Sequence, residues 1–453
     1  MAIVAEDKFA DIKDWFTTQF EVQESSLNGQ KGRPLYAFRR SAIERLPELD
    51  FPTRRDEDWK YTSVTRLLKP KYVAPKPVQL NAAQLQPYLY EGLDVNLLVF
   101  VNGVYDESLS QVQELAGEAI LTTVEEAMDK DVYKAEVEKY YSQWVEHSND
   151  PFLNLNAAFA HKGIFIHVPK NTALERPIHL LHLSVPQEEP QLISPQSLII
   201  AEQGSEATVL ESFHTLGAEA GEPCLTNAVN RIIVEPNARV RHFRIQWKDE
   251  ESFLINNTVV DQQRDSTYTS FSADLGGRLV RNNLSALLKD EHTMTNMHAV
   301  FLGKGDQHID TQTFIDHAFP HAESNELVKG ILTEKARGVF NGKILVRQDA
   351  QKINAFQQNS TLVLSDKAQM DTKPQLEIFA DDVRCSHGAT IGQLDEDAVF
   401  YLRSRGLTDQ QARSLLQHAF IREVIDFIPI EQVRQKVDVM VEEKFAAQWG
   451  KKK

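Results

Sequence analysis

Apolar and polar residues follow three different patterns along the chain. In residues 1–160, helix-like stretches with apolar residues on one face are interrupted by a short apolar strand at 97–101. From 161 to 392, short segments of alternating polar and apolar residues dominate, and each is preceded by a polar turn. Helical spacing returns in residues 393–453. We therefore predict a mostly helical N-terminal region, a β-rich core and a helical C-terminal region with these boundaries.

The β-rich core carries an imperfect repeat. The first small or polar residue after each turn recurs at steps of 14 to 31 residues. These residues are Ala207, Ala238, Thr267, Thr293, His308, Ala336, Ala350 and Ala368. Steps near one coil, or near half of one, are typical of a parallel β-helix, because its strands stack along one continuous interior. A large antiparallel sandwich also has regular short strands, so the repeat alone leaves both folds open.

Two amphipathic helices are predicted after the last strand. Thr408 is placed as the N-cap of the first, with Gln411 in the capping-box position, and Pro429 ends it. Its apolar face consists of Ala412, Leu415, Leu416, Ala419, Phe420 and Val424. The second helix carries Val433, Val437, Met440, Val441 and Phe445 and is followed by Gly450 as a C-cap. Such helices either pack on the β-rich body as a cap or form a docking surface for a partner.

Composition limits the partners and the compartment. The 453 residues carry a formal net charge of −16, which disfavours nucleic acid as a partner. The three lysines at 451–453 are either a local basic patch or, as is more common, a solvated tail. The apolar stretches are too short to cross a membrane, and the first residues lack the pattern of a secretory signal, so we expect a cytoplasmic protein. The two cysteines, Cys224 and Cys385, fit a reducing compartment and are too few to hold a metal cluster alone.

Motifs of conventional enzymes are absent from the sequence. It contains no P-loop, no dinucleotide-binding glycine motif, no nucleophile elbow and no H-E-x-x-H helix. Histidines are dense between 292 and 321, where Asp310 and Asp316 also lie, and His308 and Asp310 would point the same way on a strand. The group comprises His292, His298, His308, His317 and His321. Its spacings match no standard metal site, and histidines on turns and exposed faces are the alternative interpretation.

The segment Cys385-Ser-His387 is the more specific candidate. On a strand, residues i and i+2 project to the same side, so the thiol and the imidazole can converge on one metal ion. A nucleophilic cysteine activated by histidine, and an inert cysteine beside a surface histidine, are the alternatives. Cys224 has no such companion and is interpreted as structural.

The residues around this segment resemble a known family. The run from Asp371 to Thr390, DTKPQLEIFADDVRCSHGAT, and the following FYLRSRG at 400–406 are similar to the signature of the SufB/SufD family of iron–sulfur cluster assembly proteins. The segments GVFNG at 338–342 and EDWKYT at 57–62 fit the same family, and the latter points to its SufD branch. The resemblance implies a right-handed parallel β-helix core at 161–392, flanked by helical regions.

The resemblance also implies a function. A SufD-like chain would be a non-enzymatic, cytoplasmic scaffold in a complex with SufB and two copies of the ATPase SufC. His387, with Cys385 beside it, would contribute ligands to a nascent iron–sulfur cluster shared with SufB, and no cofactor would be bound permanently. The C-terminal helices would dock SufC, for which we single out Leu415, Leu416, Ala419 and Phe420. The SufB branch carries more cysteines, so a count of two favours the SufD branch.

Two other classes of function remain alternatives at this point. One is a β-helix enzyme that uses Cys385 with His387 and would turn over substrate without partners. The other is a self-associating structural protein, because exposed strands of a β-helix can pair between identical chains as a homodimer. Copurification with SufB- and SufC-type subunits would separate these classes from the scaffold.

Overall fold

From residue 196 to residue 392, strands that follow one another along the chain alternate between two sheets. The computed structural model describes residues 8–26, 34–145, 148–217 and 221–449. The strands in this part of the chain are β1 (Asn96–Val101), β2 (Val104–Gln111), β3 (Ile120–Thr123), β4 (Ile164–Val168), β5 (Ile178–Ser184), β6 (Gln191–Ile193), β7 (Gln196–Ala201), β8 (Glu206–Thr215), β9 (Cys224–Val234), β10 (Arg239–Trp247), β11 (Phe253–Gln262), β12 (Thr267–Asp274), β13 (Leu279–Leu288), β14 (Met294–Gly303), β15 (His308–His317), β16 (Glu323–Leu332), β17 (Arg337–Val346), β18 (Ile353–Val363), β19 (Gln369–Ile378) and β20 (Val383–Gly392).

The two sheets face each other across a narrow interior, which we call the lumen. Sheet 1 has the order β2-β1-β5-β8-β10-β12-β14-β16-β18-β20. Sheet 2 has the order β19-β17-β15-β13-β11-β9-β7-β4-β3, with β6 beside β9. All neighbouring pairs among β4 to β20 are parallel. The predicted parallel β-helix is therefore confirmed, and the antiparallel sandwich is excluded.

The coil repeat has a backbone cause at one corner of the β-helix. Sheet 1 residues Arg239, Thr267 and Met294 are register partners in successive coils, at steps of 28 and 27 residues. Two residues before each of them, the chain turns with a positive φ: 57° at Asn237, 58° at Asp265 and 58° at His292. Asn, Asp and His tolerate this left-handed conformation better than most residues. Polar residues therefore recur at the turns because the corner geometry selects them.

The lumen is apolar at its margins and polar along its middle. Alternate side chains of each strand point inward, and the largest group of buried apolar residues runs from Leu98 and Phe100 to Ala380. Between these margins, buried polar groups bond to one another, as where Arg244 donates to Asp274 over 3.1 Å. Such pairing offsets the cost of taking charged groups out of water.

The N-terminal region supplies both helices and strands. Its helices are α1 (Ala10–Ser26), α2 (Pro34–Arg45), α3 (Ala82–Leu85), α4 (Val124–Met128), α5 (Asp131–Val145) and α6 (Pro151–Phe159). Helix α6 packs on the outer face of sheet 2 in one cluster with Leu225 and Ile255. Strand β1 extends sheet 1 beside β5, and the antiparallel strands β2 and β3 end the two sheets. These strands seal the first end of the lumen.

The C-terminal region consists of α7 (Glu396–Ser404), α8 (Asp409–Ile425) and α9 (Glu431–Trp449). The predicted capping box of α8 is confirmed: Thr408 accepts from the backbone N–H of Gln411, whose side chain accepts from the N–H of Thr408. Helices α8 and α9 pack against the outer face of sheet 1 through Ile421, Val437 and their neighbours. The predicted C-cap Gly450 and the basic residues 451–453 lie outside the described residues. None of the described helices is long and apolar enough to span a membrane.

Candidate functional site

The segment Cys385-Ser-His387 lies on the last strand of sheet 1. Strand β20 pairs with β18 on one side, in a register that sets Cys385 beside Ala355 and His387 beside Gln357. In the part of the chain that the structure describes, no strand pairs with its other side. We call β19 and β20 together the terminal coil. It is the second end of the β-helix, and most of its side chains are exposed or half-buried.

The thiol and the imidazole project from the same side of β20. Cys385 packs against the apolar wall of the lumen and is half-buried, whereas His387, two residues on, is exposed because no further coil covers it. Partial burial raises the pKa of the Cys385 thiol, and a hydrogen bond with the backbone of Ala355 offsets this in part. The thiol is therefore protonated at neutral pH until a metal ion or another cation approaches it.

These two side chains supply one sulfur and one nitrogen donor. Both are donors that iron accepts in clusters, where cysteine predominates and histidine replaces it in some sites. Among the described residues, no group of three or more His, Cys, Asp and Glu side chains is placed to hold a metal ion. The pair at the terminal coil is thus an incomplete ligand set within the described part of this chain.

The histidine group at 292–321 does not converge on one point. A hydrogen bond of 2.8 Å joins Nε2 of His308 to the hydroxyl of Thr62, and one of 2.9 Å joins Nε2 of His317 to the hydroxyl of Ser324. His298 stacks on Phe427 at 4.1 Å between ring centroids. The remaining two, His292 and His321, occupy equivalent corners of adjacent coils with rings stacked at 4.9 Å. The interpretation as residues of turns and exposed faces fits His292 and His321, whereas His298 and His317 are buried within strands.

Cys224 occupies a buried position at the start of β9, as the structural interpretation expects. Its Sγ lies 3.5 Å from Oε1 of Gln191, and its side chain is fully buried. Burial raises the pKa of this thiol to about 11. Cys224 is remote in sequence and strand position from Cys385, and the two are free cysteines.

The predicted docking residues on α8 divide between two environments. Leu415 and Ala419 are exposed, whereas Leu416 and Phe420 are half-buried. The Phe420 ring carries the Lys329 Nζ at 4.4 Å from its centroid and packs against the cluster beneath α8. The face of α8 that is buried on sheet 1 includes Ile421, Val424 and Ile425. Leu415 and Ala419 are thus the members of the predicted set that remain open to a partner.

Two motifs singled out in the sequence have structural roles away from the terminal coil. Trp59, in EDWKYT, stacks on Phe152 and carries the Arg281 guanidinium at 3.6 Å from its ring centroid. Arg281 is buried and pairs with Asp310. This motif fastens the N-terminal region to the outer face of sheet 2. Gly342, in GVFNG, faces the lumen opposite Gln357.

Two buried residues beneath the terminal coil escaped the sequence reasoning. Gln357 and Glu326 precede His387 by 30 and 61 residues, and they are its successive register partners on β18 and β16. Gln357 donates a hydrogen bond from Nε2 to Glu326 Oε2. Burial raises the pKa of Glu326 to about 6. Counting back from His387 by one coil length, and then by a second, would have found both.

Comparison with known proteins agrees with this architecture. The family description "SUF system FeS cluster assembly, SufBD core domain" matches residues 184–420, and "SufBD protein N-terminal region" matches residues 10–180. The chain belongs to the SufBD family of iron–sulfur cluster assembly proteins. The first match covers the part of the β-helix that carries the terminal coil, together with most of α8.

Individual SufBD relatives cover nearly the whole chain. An iron–sulfur cluster assembly SufBD family protein of Synechocystis is 36% identical over 420 residues, which are 92% of this chain and 92% of the relative. The iron–sulfur cluster assembly protein SufD of Escherichia coli is 31% identical over 401 residues, 87% of this chain and 89% of the relative. A protein of Arabidopsis thaliana named ABCI7, chloroplastic, is 28% identical over 438 residues, 94% of this chain and 90% of the relative.

Proposed function

We propose that this chain is a SufD-type scaffold subunit that supplies Cys385 and His387 as ligands to a nascent iron–sulfur cluster, its cargo, at a contact with a SufB-type subunit. The observation that carries the proposal is the position of both donors on β20, the last strand of the β-helix, which has one unpaired edge in the part of the chain that is described. A [2Fe–2S] or [4Fe–4S] cluster takes about four protein ligands, so two donors leave the remainder to a neighbour. No cofactor is bound permanently under this proposal.

The second end of the β-helix has the properties of a surface that a partner covers. Its exposed apolar side chains include Phe379, 63% exposed, and Ile391, 50% exposed. The outer edge of β20 presents backbone N–H and C=O groups that a strand of a partner can pair with. An apolar patch beside a strand with an open pairing edge favours a second β-helix as the partner, because it can continue both the sheet and the lumen. A homodimer of the isolated chain would use the same surface.

The C-terminal helices suit a different partner, the SufC-type ATPase. Helices α8 and α9 lie on the outer face of sheet 1, with Leu415 of α8 exposed. Phe400 and Tyr401 of the preceding helix α7 are exposed as well. An exposed apolar set on a helix that is anchored to the body can pass a movement of the partner to the β-helix. The predicted residues Leu416 and Phe420 would then act by supporting Leu415 and Ala419 from below.

The alternative of a cysteine-dependent enzyme has less support. A nucleophilic cysteine needs a lowered thiol pKa, whereas burial raises the pKa of Cys385. A scaffold has no such requirement, because iron binding itself deprotonates the thiol. The cytoplasm is the compartment we propose, although the Arabidopsis relative is named as chloroplastic.

Copurification and cluster reconstitution test this proposal together. The chain should copurify with SufB- and SufC-type subunits, and His387→Ala should reduce cluster formation by the complex at least tenfold, since a ligand is lost. The matched control is Ser386→Ala, the exposed residue between the two ligands, which should assemble clusters normally. Normal assembly by His387→Ala, or a complete cluster held by the isolated chain, would overturn the proposal.

A further inference from the structure

A buried polar column leads through the lumen to His387. Glu326 on β16, Gln357 on β18 and His387 on β20 are register partners in three successive coils of sheet 1. Residues that are paired in register in parallel strands point to the same face of the sheet, so all three side chains lie on the lumen side. Glu326 is 3% exposed and Gln357 is 2% exposed, whereas His387 is exposed at the second end of the β-helix.

The side chain of Gln357 is held in one orientation from below. Its Nε2 donates to Glu326 Oε2, which fixes which end of the amide faces the carboxyl group. A buried carboxyl group that accepts a hydrogen bond from an amide leaves that amide little freedom to rotate. The amide oxygen of Gln357 is consequently directed away from Glu326.

Gly342 on the opposite strand β17 provides the space for Gln357. A Cβ atom at this position would lie 2.7 Å from Cδ of Gln357 and 2.7 Å from Cζ of Phe340, closer than real Cβ atoms approach other atoms. Any larger residue at 342 would therefore displace the glutamine from its place in the lumen. The second glycine of the GVFNG motif thus serves the position of Gln357.

The amide oxygen of Gln357 lacks a partner within the described residues. Its Oε1 is buried and accepts no hydrogen bond there. Leaving a buried acceptor without a donor costs free energy, so such atoms normally have a partner. The coil that follows Gln357 toward the open end presents His387 at the same register position, and an imidazole carries the N–H that this oxygen lacks.

We propose that Gln357 is a positioning residue for His387: when the exposed side chain of His387 turns toward the lumen, its ring N–H donates to Oε1 of Gln357, and Glu326 holds the amide in that orientation. The hydrogen bond selects one tautomer of the imidazole and leaves the other ring nitrogen unprotonated for a metal ion. The inference rests on the proposed function only where it makes His387 a cluster ligand. The tautomer itself is a property of the isolated chain.

The tautomer of His387 can be measured directly in the isolated chain. The protein is labelled with ¹⁵N at histidine, and long-range ¹H–¹⁵N spectra are recorded at pH 8.5, with His387→Gln to assign the signal. One tautomer should predominate in the unchanged chain. Gln357→Met, which keeps the length of the side chain and removes both polar atoms, should change the tautomer ratio roughly fivefold, the effect of one lost hydrogen bond.

Two further variants separate positioning from general damage to the lumen. Asn359→Leu alters another buried lumen residue of β18, whose register partner is Ala389, and should leave the His387 spectrum unchanged. Glu326→Gln keeps an acceptor for the Gln357 amide and should preserve the tautomer, whereas Glu326→Leu should shift it. An unchanged spectrum in Gln357→Met, or an equal shift in Asn359→Leu, would overturn the inference.

The failures of the two proposals are distinguishable. The spectra need neither iron nor partners, so a negative result there removes Gln357 from the site and leaves the scaffold function standing. Normal cluster assembly by His387→Ala, together with the expected tautomer shift, would instead remove the proposed function and leave the hydrogen bond intact.

Discussion

The two ends of the β-helix differ in how their last strands are covered. At the first end, the antiparallel strand β2 covers the edge of β1 in sheet 1, and the antiparallel strand β3 covers the edge of β4 in sheet 2. Phe100 is buried between Tyr105 and His182. At the second end, β19 and β20 are the last strands of their sheets, and Phe379 and Ile391 are exposed beside them. Both ends belong to one fold with the same coil geometry.

The difference indicates a division of tasks between the ends. A short antiparallel strand with polar, exposed side chains at the edge of a sheet disfavours pairing with another chain. Such an edge suits an end of the β-helix that makes no contact with another subunit. An end that keeps its pairing edge and its apolar residues suits contact with another subunit. The candidate ligands Cys385 and His387 lie at this second end, where a partner can complete their coordination.

Phe100→Ala tests the sealed end and should have the largest effect. The residue is 2% exposed and belongs to the main apolar cluster of the lumen. Its truncation leaves a cavity, so we expect the free energy of unfolding to fall by about 3–5 kcal/mol in urea denaturation. A loss below about 1 kcal/mol would mean that this end is no better packed than the other.

Comparison of Glu326→Gln with the unchanged chain tests whether water reaches Glu326 from the second end of the β-helix. Because burial raises the pKa of Glu326 to about 6 in the folded chain, that chain binds more protons than the unfolded one between the usual glutamate pKa of about 4.3 and 6. The contribution of Glu326 to stability therefore falls as the pH rises through this window and is constant above it.

The variant lacks this titration, so between pH 4 and pH 7 its free energy of unfolding should rise by about 2 kcal/mol relative to that of the unchanged chain. Urea denaturation at both pH values, carried out on the two proteins in parallel, gives the difference. Equal pH dependence in the two proteins would show that water reaches Glu326 through the terminal coil and that the lumen is open to that depth.

Phe379→Ala tests the open end and should have the smallest effect on the isolated chain. Since the ring is already exposed, the free energy of unfolding should change by less than about 0.5 kcal/mol. In the complex the same truncation should weaken binding of the SufB-type subunit about tenfold or more, measured by calorimetric titration. A stability loss as large as that of Phe100→Ala would contradict the contrast between the ends.

The sequence alone predicted the class of core, and its repeat was real but ambiguous. Alternation of polar and apolar residues reports that one face of a strand is buried, and this holds for a sandwich and for a β-helix alike. The regular positive φ at Asn237, Asp265 and His292 is a property of a coil corner, and three different residue types satisfy it. The corner therefore left no single-residue motif to read, and the resemblance to the SufB/SufD family decided the fold.

The candidate site was predictable in its ligands and not in its surroundings. Cys385 and His387 share one strand, so a spacing of two residues was enough to put them on one side. Gln357 and Glu326 lie in register with His387 only because the coils stack, at separations of 30 and 61 residues that no local pattern reveals. The helical face drawn on α8 likewise mixed buried Ala412 with exposed Leu415, because helical spacing does not report which part of a face the β-helix covers.

The strands that seal the first end are also the first ones made. A chain that grows from its N-terminus acquires β1, β2 and β3 before any full coil exists, so each new coil is added to a template that is already closed behind it. If the coils form in the order of synthesis, the unpaired edge always belongs to the newest strand. The finished protein keeps the last of these edges, that of β20, where the proposed partner would pair.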